Sequence, residues 1–242
     1  MPEASPAPKL LEQLRAQSDA VRAQERDAAR PIEEALQALD RRLWTAFRWL
    51  DEAGQHLEVI QPTVRHAFSI PGVLTIATPR YDRGFVSYRR RPIGGFDAIE
   101  HIELFYRMTG PKAMVVRVQP GAAAATEERL RAAHLSFRYE TEQDVQRVVR
   151  QGVFTVAANI MSSVRFVPDY RRQRVEVTLR NVDRFESVIL DFAAAALDEP
   201  ALEDLVRFML GESNQFLRRA PLARLGSRPA ASDTARASQY AV

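Results

Sequence analysis

Residues 81–108 read YDRGFVSYRRRPIGGFDAIEHIELFYRM. Two alternating stretches, GFVSYRR from Gly84 and IEHIELFYRM from Ile99, flank Pro92 and the pair Gly94-Gly95. A period of two marks strands, and glycines between two such stretches suit a tight reversal because they reach positive φ without steric cost. A parallel crossover needs a dozen or more connecting residues, usually a helix, and this spacing leaves no room for one. The middle of the chain is therefore expected to be antiparallel.

The same pattern continues on both sides. HLEVIQ from His56, GVLTIAT from Gly72 and AMVVRVQ from Ala113 read as further strands, with turns at Pro71-Gly72 and Gly110-Pro111. HLSFRYE at 134–140, VFTVAANIMSSVRFV from Val153, RVEVTLRNV from Arg174 and ESVILDF from Glu186 add more. A short helix is expected near Ala122 to Arg131. Another is expected from Thr141 to Gly152, where Thr141 offers a cap and Val145, Val148 and Val149 a stripe.

The flanks are helical. From Lys9 to about Ala53 there is no glycine and one proline, Pro31, which predicts a long helix with a kink or restart at that point. Before Pro31 the stripe Leu11, Leu14, Ser18, Val21, Glu25 and Ala28 has heptad spacing but is half polar, which suits an exposed or partner-seeking helix. After it, Ile32, Leu36, Leu39, Leu43, Phe47 and Leu50 form an apolar face that should pack on a core. At the other end, Asp198 followed by Pro200 marks a helix start and Gly211 its stop. The resulting fold class is α+β: a long N-terminal helix, an antiparallel sheet of about six to nine strands, and a C-terminal helix. Residues 1–8 read as a disordered lead, 9–55 as the long helix, 56–217 as the sheet domain with its C-terminal helix, and 218–242 as a disordered basic tail.

Composition excludes several chemistries. With no cysteine there can be no disulfide, thiolate nucleophile or cysteine-ligated metal. The net charge is +3, and Lys9 and Lys112 are the only lysines among 34 basic residues, an arginine bias with no strong cationic excess behind it. No phosphate-binding glycine loop, serine elbow or histidine metal motif occurs, so no catalytic residue, cofactor or metal is expected. The sequence shows no long apolar run and no secretory leader, which places the protein in the cytoplasm as an expectation.

Two constellations keep chemical potential. Arg89, Arg90 and Arg91, and then Arg171, Arg172 and Arg174, each follow a strand, and guanidinium forks bind phosphate or carboxylate if the two turns meet. His101, Glu103 and Arg107 share one face of a strand and could line a polar pocket, opposite a core face of Ile102, Leu104 and Tyr106. RYDRG at 80–84 offers only a partial start to the arginine motif of the PilZ family of cyclic-di-GMP receptors, and no [DN]xSxxG follows, so that resemblance fails at the ligand residues. The stretches FVPDYRRQRVEVTLRNVDRFESVILDF and LVRFMLGESNQFL resemble the C-terminal part of a group of proteobacterial proteins that also begin with a long helix. That resemblance implies a fold and no activity. The favoured expectation is a non-catalytic interaction or scaffolding protein that pairs through its N-terminal helix with a protein partner or a second copy. The alternatives are nucleic-acid or anionic-ligand binding through the arginine turns, and a small-molecule receptor or enzyme with a sheet-face pocket.

Overall fold

The computed structural model describes residues 10–93 and 95–226. The expected lead at 1–8, Gly94 and the tail from 227 onward lie outside the described residues. Helix α1 spans Leu10–Ile60 without a break at Pro31. The turns flanking that proline are exposed, so the carbonyl it frees can be satisfied by water while the helix continues. It also runs past the expected end: His56 to Ile60 of HLEVIQ finish α1 rather than form a strand, because Leu57 falls two turns after Leu50 and extends the same buried stripe, and Gln61 leaves the helix at φ 47°.

Two short strands follow, β1 (Phe68–Ile70) and β2 (Leu74–Ile76), paired through the Pro71-Gly72 turn with Gly72 at φ 72°. Then come β3 (Arg80–Ile93), β4 (Phe96–Thr109), β5 (Met114–Val118) and helix α2 (Ala123–Ala132). Strands β6 (Phe137–Gln143), β7 (Val149–Val156), β8 (Asn159–Asp169), β9 (Arg174–Arg180) and β10 (Ser187–Ala193) complete the middle. Helix α3 (Glu199–Leu210) begins at an Asp198 cap whose side chain accepts from the Ala201 amide at 3.0 Å, and β11 (Leu222–Gly226) closes the described chain. Among the described residues, no helix is long and apolar enough to cross a membrane.

The strands form three sheets, all antiparallel: β1-β2, β5-β7-β6, and a six-stranded sheet in the order β11-β10-β9-β8-β4-β3. VFTVAANIMSSVRFV is two strands, not one, and its break at Ala157-Ala158 lies beside the break at Gly110-Pro111, where the Gly110 amide donates to the Ala158 carbonyl at 2.7 Å. A Cβ on Gly110 would lie 2.7 Å from Ala158 Cβ, so glycine is what lets the paired chains pass together from one sheet to the next. The helix expected at 141–152 is a hairpin. Asp144 turns the chain there by accepting from the Gln146 and Val148 amides at 2.8 and 2.9 Å, and the valines read as a helical stripe stay exposed. Residues 222–226, expected in the disordered tail, pair with β10, which supplies the free edge that composition could not reveal.

One face of the six-stranded sheet is core. Ile102, Leu104 and Tyr106 pack with Val164 and Phe166 of β8, Val175 and Val177 of β9, and Leu190 and Phe192 of β10. The second half of α1 covers it through Leu39, Leu43, Ala46 and Leu50, while Leu202, Leu205, Phe208 and Met209 bring in α3. Tight packing begins at Leu39. Ile32, expected on the buried face, remains 64% exposed.

Candidate functional site

The antiparallel register places the β3–β4 reversal and the β8–β9 turn at the same end of the sheet, on neighbouring strand pairs. The two turns touch: the Tyr170 hydroxyl donates to the Ile99 carbonyl at 2.9 Å, and the Phe96 and Tyr170 rings are 6.4 Å apart. The six arginines are therefore gathered at one end, but most of their charge is answered inside the fold. Arg89 pairs with Glu100 at 3.2 Å, Arg90 with Asp97 at 2.8 Å and Asp40 at 3.3 Å, Arg172 with Asp169 at 3.7 Å, and Arg174 with Asp191 at 2.6 Å. Arg91 and Arg171 have no carboxylate partner among the described residues. A recess of about 270 Å³ beside Arg172 and Arg174 also holds Asp169, Glu176 and Asp191, so its carboxylates outnumber its guanidiniums. An anion gains little there.

Arg90 has a further task. It points to Asp40 on α1, and Asp40 also accepts from the Ile99 amide at 2.7 Å and the Tyr170 hydroxyl at 3.0 Å. Burial, with Asp40 alongside, pushes the Tyr170 pKa up and keeps that hydroxyl a donor. One carboxylate thus ties the helix to both turns.

His101, Glu103 and Arg107 do share the outer face of β4, as their alternation requires, with Ile102, Leu104 and Tyr106 buried behind them. They do not form one cluster. Arg107 is drawn to Asp82 of β3, with its Nε 2.5 Å from the carboxylate. His101 lies level with Arg89, and its Nδ1 is buried without a hydrogen-bond partner among the described residues. Burial lowers its pKa, Arg165 and Arg89 lower it further, and Glu100 opposes them. Neither the recess near Arg172 nor a groove of about 390 Å³ between α1 and α3 is lined by His101 or Glu103. Among the described residues, no three His, Asp or Glu side chains gather closely enough to hold a metal ion.

The outer face carries a pair that sequence reasoning passed over. Phe85 of β3 lies directly opposite Phe105 of β4, their rings stacked at 5.2 Å and 28°. The signal was present in the alternation: Phe105 has the same parity as His101, Glu103 and Arg107, so it had to stand on the solvent face with them. No protein family, curated protein or solved structure matches the chain, which leaves geometry as the guide to function.

Proposed function

We propose that this protein is a non-catalytic, cytoplasmic scaffold that self-associates through the first half of α1. The observation that carries the reading is exposure: from Leu10 to Glu34 every residue of a continuous helix is exposed except the half-exposed Ala29. Leu11, Leu14, Val21 and Ile32 are 59, 52, 54 and 64% exposed, and they fall on one heptad stripe. That segment extends about 37 Å at 1.5 Å per residue. A helix of this length with no packed face is marginal in water, so a second helix along the stripe is what gives it a reason to persist.

The stripe favours a second copy in antiparallel orientation. Opposing Leu14 with Ile32 and Ser18 with Ala28 of the partner sets large against large and small against small, with Leu11 falling on Ala35 beyond them. The same register sets Glu25 against the partner's Val21, beside the partner's Arg22, so the polar residue within the stripe meets opposite charge. A parallel pair would instead set Glu25 against its own copy. The test is light scattering on the full chain, on Leu14→Glu with Val21→Glu, and on a chain starting at Arg30. The full chain is expected to be a dimer and both altered forms monomers, and a monomeric full chain would refute the reading.

A further inference from the structure

The outer face of the six-stranded sheet has features that helix pairing does not use. Its register lets residues be read in rows across β3, β4, β8 and β9. One row is Phe85, Phe105, Ser163 and Arg180. The next toward Thr109 is Arg83, Arg107 and Met161, and the next in the other direction is Ser87, Glu103, Arg165 and Thr178. Phe85 is 61% exposed and Met161 51%, while Phe105 is half-buried against Phe85, so one aromatic ring and a methionine stand open near the middle of two long strands. Four arginines border it, at 83, 107, 165 and 180; Asp82 pairs with both Arg83 and Arg107 and Glu103 lies opposite Arg165, so four guanidiniums face two carboxylates and an excess of positive charge remains. The Nε of Arg165 is buried with no acceptor among the described residues.

Protein-binding surfaces also collect aromatic, methionine and arginine side chains, so the choice of occupant rests on how rings and cations alternate. Here guanidiniums sit in the rows immediately next to the rings. Stacked aromatic faces interleaved with cations are what an unpaired base and its phosphate need, and a duplex hides the base faces such a platform reads. We propose that this face binds single-stranded nucleic acid, with bases stacked on Phe85 and Phe105 and the backbone passing Arg83 and Arg107 on one side and Arg165 and Arg180 on the other. The turn arginines at 91 and 171 lie outside this path.

The experiment is fluorescence anisotropy with the full chain and labelled oligouridylate, oligothymidylate and a duplex of equal length, across a salt series. Single strands are expected to bind at low salt and the duplex to bind more weakly. Phe85→Ala is expected to weaken single-strand binding roughly tenfold, while Phe85→Tyr holds it. Arg83→Gln and Arg107→Gln should each reduce the logarithmic salt slope by about 0.7, and Arg171→Gln should leave it unchanged. Because Phe85 is exposed, its variants should melt with the wild type, which separates lost binding from lost folding. Failure of the wild type to bind either single strand at low salt overturns the proposal. So does unchanged binding by Phe85→Ala, and if that variant alters only the mass seen by light scattering, the face is a protein interface instead.

Discussion

Replacing Asp40 by alanine removes the acceptor for three donors at once: the Ile99 amide at 2.7 Å, the Tyr170 hydroxyl at 3.0 Å and Arg90 at 3.3 Å. The three losses are unequal. Arg90 keeps Asp97, and the Tyr170 hydroxyl keeps the Ile99 carbonyl, so neither is stranded. Ile99 is fully buried, and its amide is left without this acceptor at the irregularity where β3 and β4 change register, between Arg89 and Arg90. An orphaned buried donor costs about 1–3 kcal/mol and a lost bond to a charged acceptor somewhat less when its partner has a substitute, so Asp40→Ala should cost about 3 kcal/mol. Asp40→Asn keeps a carbonyl oxygen for Ile99 and should cost only about 1 kcal/mol. Urea unfolding followed by tryptophan fluorescence suits the measurement, since Trp44 and Trp49 lie on the same helix. A double cycle with Tyr170→Phe should return a coupling of about 1 kcal/mol, because the two side chains share one network. If Asp40→Ala costs under about 1 kcal/mol, or no more than Asp40→Asn, the latch described here is not what holds helix and turns together.

Two further outcomes follow from packing and charge. Gly84→Ala would place a Cβ 2.3 Å from the Tyr81 hydroxyl and 2.8 Å from the Phe105 carbonyl, so a loss of about 2 kcal/mol is expected, only partly recovered by adding Tyr81→Phe; an unchanged urea midpoint would refute the close approach. Burial lowers the pKa of His101 and of His134 below 6.5, with Arg165 adding to it at the first and Arg180 at the second. The unfolded chain therefore takes up these protons first, so stability is whole above about pH 6.5 and falls as pH drops from there through the folded-state values. His101→Gln should flatten that acid slope in urea midpoints taken between about pH 7 and pH 5, and an identical slope would remove His101 as a cause.

How far the sequence could be read depended on whether a segment's structure is set by its own residues. The β3–β4 hairpin was legible because Gly95, at φ 88°, suits a local reversal, and α3 was legible because Asp198, Pro200 and Gly211 mark both its ends. Segments decided by distant partners were not. The last turn of α1 carries Val59 and Ile60, which favour strands, yet Leu57 holds it helical by packing on the core. Residues 222–226 look like tail until the free edge of β10 is known. The division of the strands among separate sheets depends on the Gly110 and Ala158 breaks coming side by side, and no spacing in the sequence states that. The arginine turns were placed at a common end by pairing that the strands imply, but their neutralisation by Asp97, Asp191 and Asp40 involves residues 7, 17 and 50 positions away.

The position of Asp40 links stability to the proposed function. Tight burial of α1 starts at Leu39, so the latch stands at the root of the exposed segment, where a small rotation is magnified along about 37 Å of helix. The ties to Ile99 and Tyr170 lie on the sheet, and Arg90 closes the third side, so the root is held from three directions. If two copies pair along the first half of α1, the relative placement of their sheet domains is set at this root. Loosening it should then leave the pairing intact and broaden the distance between the bodies. Asp40→Asn offers a way to see this, because it weakens the latch while keeping the Ile99 contact: distance distributions measured between spin labels on the two bodies should widen while the mass in light scattering stays that of the dimer. A narrow distribution unchanged from the wild type would mean that packing through Leu39, Leu43 and Ala46 alone orients the helix, and that Asp40 serves stability only.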